Sequence, residues 1–173
     1  MKNIFFTEEH LSIRNMVREF SQTEIAPFAS EFDRTQKFPT KIINKMGDLG
    51  LMGMIIPNKY GGAGLDMMSF VLAIIELAKV DASVAITMAA HTSLGSLPLL
   101  LYGSEQQKQK YLPRLAKGEI IGAFGLTEPN AGSDAGGTQT KAILEKNNYR
   151  VNGGKIFITN AGKASVLSFT SRI

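Results

Sequence analysis

Gly125-Leu126-Thr127-Glu128-Pro129-Asn130-Ala131-Gly132-Ser133-Asp134-Ala135-Gly136-Gly137 follows directly on the apolar run Ile120 to Leu126. An apolar run that breaks into Pro, Asn, Gly and Ser predicts a buried strand opening into a tight polar loop. Small residues let a backbone approach a ligand closely, and Thr127 and Ser133 bring hydroxyls to the same place. By composition alone an ordinary Gly-rich turn fits as well. Residue order weighs towards a ligand loop.

Working outward, the pattern changes near Glu119. Before it nearly everything reads as helix. Thr7 is a candidate N-cap, followed by Ile13, Met16, Val17, Phe20, Glu24 and Phe28 at helical spacing, with a kink or restart at Pro27. A second helix starts near Pro39, buries Ile42, Ile43, Met46 and Leu49, and stops at Gly50. Asp66 and Asp81 are candidate caps of two strongly apolar helices, whose apolar residues on more than one face predict a central place in a bundle. Ser104-Glu105-Gln106-Gln107 is a capping box, opening a helix that carries Tyr111, Leu112 and Leu115 and ends at Gly118. After Gly118 strands are expected at Ile120–Thr127, Thr138–Lys146, Tyr149–Val151 and Lys155–Thr159, with Asn152-Gly153 as a hairpin turn. Helices followed by strands define an α+β chain: a helical bundle over residues 1–119, then the first strands of a β-domain over 120–173.

Composition narrows the function. Hydrophobic content of 44% with 20% charged residues is that of a soluble globular protein. No apolar run appears long enough to span a bilayer. The start, Met1 to Phe6, lacks the apolar core of a signal peptide, and Glu8 and Glu9 argue against a transit peptide. A cytoplasmic location is therefore the default expectation. The absence of cysteine excludes disulfides, Cys-ligated metal and thiol nucleophiles. His10 and His91 are the only histidines, neither with a partner at ligand spacing, so no metal site is expected. The net charge of +4 would suit an anionic ligand, yet no basic stripe interleaved with aromatics points to nucleic acid.

No G-x-G-x-x-G follows a strand, so a Rossmann cofactor site is excluded; Gly61-Gly62-Ala63-Gly64 lies between helices and reads as structural. Lys155 is no P-loop lysine, because Tyr149 stands where the first glycine of that motif belongs and Ile156 follows the lysine. Met52, Met54, Met67 and Met68 read as core filler or an adaptable lining for an acyl chain.

The loop closely resembles the LTEPxAGSD signature of the acyl-CoA dehydrogenases, a flavoenzyme family. Lys155-Ile156-Phe157-Ile158-Thr159-Asn160-Ala161-Gly162 resembles the family's second flavin-contacting segment, and Pro57-Asn58-Lys59-Tyr60-Gly61-Gly62-Ala63-Gly64 is similar to its P-x-x-Y-G-G-x-G loop. The likeness runs from about Phe6 to about Lys163; the last ten residues, Ala164 to Ile173, match poorly. The resemblance, strongest to the short-chain or butyryl type, implies FAD held by Phe124, Leu126, Thr127, Gly132, Ser133, Phe157, Ile158 and Thr159, with Ser133 also near the acyl-CoA. Phe157 stands where many members carry Trp, without the indole N–H; apart from the family context it reads as a core strand aromatic. The resemblance also implies transfer of electrons to an electron-transferring flavoprotein, and a homo-oligomer, a tetramer for the intact enzyme.

Glu128 invites a general-base reading, because removing a proton α to a thioester needs a carboxylate. The family's base comes instead from a C-terminal helical domain that this sequence does not include, so Glu128 reads as an orienting or ion-paired residue, and no catalytic residue is expected in this chain. Asp134 is expected to hold the loop's backbone. A β-domain of so few strands is expected to leave an unpaired edge. The sequence thus reads as a truncated N-terminal portion, inactive by itself. The alternatives are a non-catalytic interaction module of the same family and an acyl-CoA oxidase.

Overall fold

The computed structural model describes residues 5–173; the expectation for Met1 to Ile4 lies outside these. The architecture is α+β, helices first. α1 (Glu8–Phe20) begins with the Thr7 capping box, in which Thr7 Oγ1 accepts from the His10 amide and the His10 side chain accepts from the Thr7 amide. A π-helical turn (Ser21–Ile25) and the break at Pro27 lead to α2 (Ala29–Thr35). α3 (Thr40–Asp48) closes at Leu49, with Gly50 in the left-handed region at φ 76°. Asp66 caps α4 (Met67–Ala78) through the Ser69 amide, and Asp81 caps α5 (Ala82–Ala89) through the amides of Ser83 and Val84. The helix continues through a π segment (Ala90–Ser96) into α6 (Leu97–Tyr102), and α7 (Glu105–Ala116) carries the Ser104 capping box.

One core joins α1, α3, α4 and α5 through Val17, Ile43, Met46, Met52, Leu77 and Met88, all at most 1% exposed. A smaller core sits under α7, around Tyr60, Leu112, Leu115 and Ile120. Glu76 is buried in α4 and clamps α1: Arg18 donates to both of its oxygens at 2.9 and 3.0 Å, and Lys79 donates at 2.8 Å. That pairing offsets the cost of desolvating the carboxylate.

α4 and α5 are not covered all round. Met67, Met68, Val71 and Ile75 on α4 and Ile86 on α5 are exposed, so Met67 and Met68 are surface residues whereas Met52 and Met54 are core. Periodicity reports that a face is apolar, not what covers it. The run Ala82–Tyr102 is also one helix of 21 residues, apolar and long enough by composition to cross a bilayer, contrary to the sequence expectation. Half of it is buried against the rest of the chain, the condition of a core helix.

The strands depart further from expectation. β1 (Ile121–Gly125) pairs in parallel with β4 (Ala164–Phe169), so the last residues, which match the signature motifs poorly, nevertheless complete the sheet. β2 (Lys141–Glu145) and β3 (Asn148–Asn152) form an antiparallel hairpin. Its turn is Lys146-Asn147, with Lys146 at φ 56°, and not Asn152-Gly153. Lys155 to Thr159 is not a strand: Phe157 at φ 56° interrupts the extended run, and β1 pairs with β4 instead. The chain end then runs beside β2: Ala142 donates to the Arg172 carbonyl at 2.7 Å, and the Arg172 amide to Thr140 at 2.8 Å. Ile143, Leu144, Tyr149 and Val151 on the hairpin remain exposed.

Candidate functional site

β1 delivers its polar loop as the sequence predicts. Ala123 is fully buried, Phe124 half-buried and Leu126 40% exposed, so the chain surfaces at Leu126. The loop then folds back on itself, with Glu128 and Ala131 exchanging backbone hydrogen bonds at 2.9 and 3.1 Å. Gly132 and Ser133 are exposed beyond that bridge. Asp134 holds the following turn by its main chain, its carbonyl accepting from the Gly137 amide at 3.0 Å.

The second segment meets the first. The Ile156 amide donates to the Thr127 carbonyl at 2.8 Å. Lys155 turns inward, its ammonium donating to the Leu126 carbonyl at 2.9 Å, to Glu128 Oε1 at 2.7 Å and to Thr170 Oγ1 at 3.0 Å. The three donors of the ammonium are thereby satisfied. Glu128 is equally committed: it is 5% exposed and also accepts from the amides of Gln139 at 2.6 Å and Thr140 at 3.0 Å. The Lys155 bond first, then Thr140 and the Gln139 amide, hold its carboxyl down at about 2. A carboxylate so stabilised is a poor proton acceptor, so the ion-paired reading stands against the general-base one.

Thr127 is half-buried, Ser133 and Thr159 are exposed, and their hydroxyls make no hydrogen bond to another described residue. Ile158 is half-buried, its carbonyl accepting from Ala161 at 3.2 Å. Phe157 is 90% exposed at φ 56°, an unusual backbone for an aromatic residue, so it is no core strand aromatic. Free hydroxyls beside bare Leu126 and Phe157 are what a flat heteroaromatic ring with polar edges requires, so the residues fit a flavin.

Sequence reasoning missed the structural roles of three residues. Lys155 and Asn160 were placed in the second flavin-contacting segment, but without their own partners. Asn160 donates through Nδ2 to the Thr87 carbonyl at 3.0 Å and to the Gly122 carbonyl at 3.4 Å, tying the second segment to α5 and β1. His91 is fully buried and binds Leu115 and Gly122. A polar residue within an apolar helix was the one available signal for His91. No group of three or more metal-ligating side chains occurs among the described residues.

The profile of the acyl-CoA dehydrogenase N-terminal domain matches residues 7–119, and that of the middle domain matches residues 123–172. The chain belongs to the acyl-CoA dehydrogenase family. The likeness therefore extends past Lys163, through β4. The short-chain-specific acyl-CoA dehydrogenase of Clostridium acetobutylicum is 51% identical over 158 residues, covering 91% of this chain and 42% of that protein. The structure of butyryl-CoA dehydrogenase from Megasphaera elsdenii superposes with a TM-score of 0.92 at 40% identity, over 98% of this chain and 45% of that one. An acyl-CoA dehydrogenase of Bacillus anthracis complexed with FAD gives 0.86 at 40% identity, over 96% and 29%. The chain thus spans less than half the length of these relatives.

Proposed function

We propose that this chain supplies the helical half of an acyl-CoA site and the first flavin-contacting strands of a short-chain acyl-CoA dehydrogenase. The division falls near Glu119, with a helical domain before it and the start of the β-domain after it. The observation that carries the reading is the junction of the two signature segments. The Ile156–Thr127 bond and the Lys155 clamp join the two segments, and the hydroxyls of Thr127, Ser133 and Thr159 on those segments are uncommitted, which supports the reading.

FAD would be held by Phe124, Leu126, Thr127, Gly132, Ser133, Phe157, Ile158 and Thr159. When bound, it supplies the acceptor for the substrate's β-hydrogen, removed as hydride, so that the α,β bond becomes a trans-2-enoyl thioester. Thr127 and Thr159 would orient the cofactor's polar edge through hydroxyl and amide. Leu126 and Phe157 would cover apolar ring surface and keep water away. Ser133 would lie between the cofactor and the acyl-CoA. Glu128 and Lys155 neutralise each other and hold the loop. The α-proton is taken by a glutamate that the resemblance assigns to a C-terminal helical domain; no residue of this chain is proposed for that role. Electrons would pass to an electron-transferring flavoprotein, and the working assembly would be a cytoplasmic homo-oligomer.

The test is anaerobic titration of the native protein, isolated from its own cells, with butyryl-CoA. Bleaching of the flavin absorbance by about one equivalent is the expected result. A bound flavin that butyryl-CoA leaves oxidised would refute the short-chain acyl-CoA reading.

A further inference from the structure

His91 lies where the two halves of the chain meet. Its Nε2 is 3.1 Å from the Leu115 carbonyl, which can only accept, so Nε2 carries the proton and donates. Nδ1 is then a lone pair, and it accepts the Gly122 amide at 3.1 Å. The bond falls where the β1–β4 register shifts, between Ile121 and Gly122. The Gly122 carbonyl faces Asn160 Nδ2 at 3.4 Å, and the same Nδ2 donates to Thr87. Gly95, four residues after His91, packs backbone to backbone on Gly122: a Cβ at Gly95 would lie 2.6 Å from Gly122 Cα. One run of contacts therefore joins α7, the π segment, β1 and the Ile158–Gly162 turn.

We propose that His91 is a positioning residue for the flavin loop. Through Gly122 it sets where β1 starts, and through Gly122 and Asn160 it sets the second segment against the first. From Gly122 to Gly125 the chain advances about 10 Å as extended strand, paired along one edge to β4, and Leu126 and Thr127 follow directly, so a displacement at Gly122 is passed along the strand to them. The rigid imidazole holds donor and acceptor at a fixed spacing, which an aliphatic side chain cannot do. The inference rests on the flavin reading given above.

The native protein, tagged in its own cells, is compared with His91→Leu and His91→Gln variants by amide hydrogen exchange and by flavin content. The expected result is exchange about tenfold faster over residues 121–133 in His91→Leu, the scale of one lost hydrogen bond. Peptides of α1 and α4 stay unchanged, flavin content falls in parallel, and His91→Gln, with a donor and an acceptor of its own, restores most of both. Equal acceleration in α1 and α4, or no local change, overturns the inference. So does a full flavin complement in His91→Leu. Wild-type protein without flavin overturns the flavin reading itself, whatever the exchange pattern.

Discussion

Acidification from pH 6.5 to 4 charges His91 in the unfolded chain but not in the folded one. Burial is the main cause, outweighing the Leu115 and Met52 carbonyls, and it lowers the group from 6.5 to about 4. The sign follows from proton uptake. Above pH 6.5 neither state binds the proton and the contribution to stability is intact. Between pH 6.5 and 4 the unfolded chain binds it alone, so stability falls as pH falls, by up to about 1.4 kcal/mol per pH unit. Over the whole window the loss is about 3 kcal/mol, a substantial part of a typical domain's 5–15 kcal/mol. For a chain of this size that is a fall in Tm of about 6–12 °C. The assay is thermal unfolding followed by circular dichroism at several pH values, for the wild type and for His91→Gln, which keeps a donor and an acceptor but does not titrate. The difference between their pH slopes isolates this group from the carboxylates. Parallel slopes in the two proteins would refute the reasoning, because the imidazole would then titrate alike in both states.

Gly95→Ala places a methyl group against the Gly122 and Ala123 backbones, which have no rotamer to yield; the overlap costs about 1–3 kcal/mol, less up to about 1 kcal/mol of helix propensity, and urea unfolding reads the net. Glu76→Gln weakens the clamp on α1 and lowers the urea midpoint at pH 7. The wild type loses the same contribution only as pH falls from 4.5 towards about 2, because Arg18 and Lys79 depress the folded carboxyl against the desolvation that opposes them. Thr127→Val and Thr159→Val each remove one hydroxyl of about 0.5–1.5 kcal/mol, so FAD binding to the native protein should weaken about 2- to 13-fold per site by fluorescence titration.

The helical half was legible because its signals are local. Thr7, Asp66, Asp81 and Ser104 cap helices within three residues of themselves, and the structure shows each cap. β1 and its loop were legible for the same reason. The pairing of β1 with β4 spans more than forty residues in parallel, and no turn chemistry announces such a partner. Asn152-Gly153 carried a strong hairpin signal, yet Lys146-Asn147 makes the turn, since Glu145 and Asn148 already face each other across it. Lys155 and Glu128 stand 27 residues apart, and their pairing depends on the two segments having met. The exposed faces of α4, α5 and the β2–β3 hairpin could not be told from core by pattern, because periodicity records apolar character and leaves the covering partner unnamed.

The measurement that bears most directly on the account is the flavin content of the native protein, isolated from its cells with an antibody to residues 7–119, released by acid and identified by mass. The account predicts FAD, near one per chain, and its loss when Thr127 and Thr159 are both replaced by Val. Native protein free of any flavin would contradict the assignment of Leu126 to Ser133 and Phe157 to Thr159 as a cofactor site.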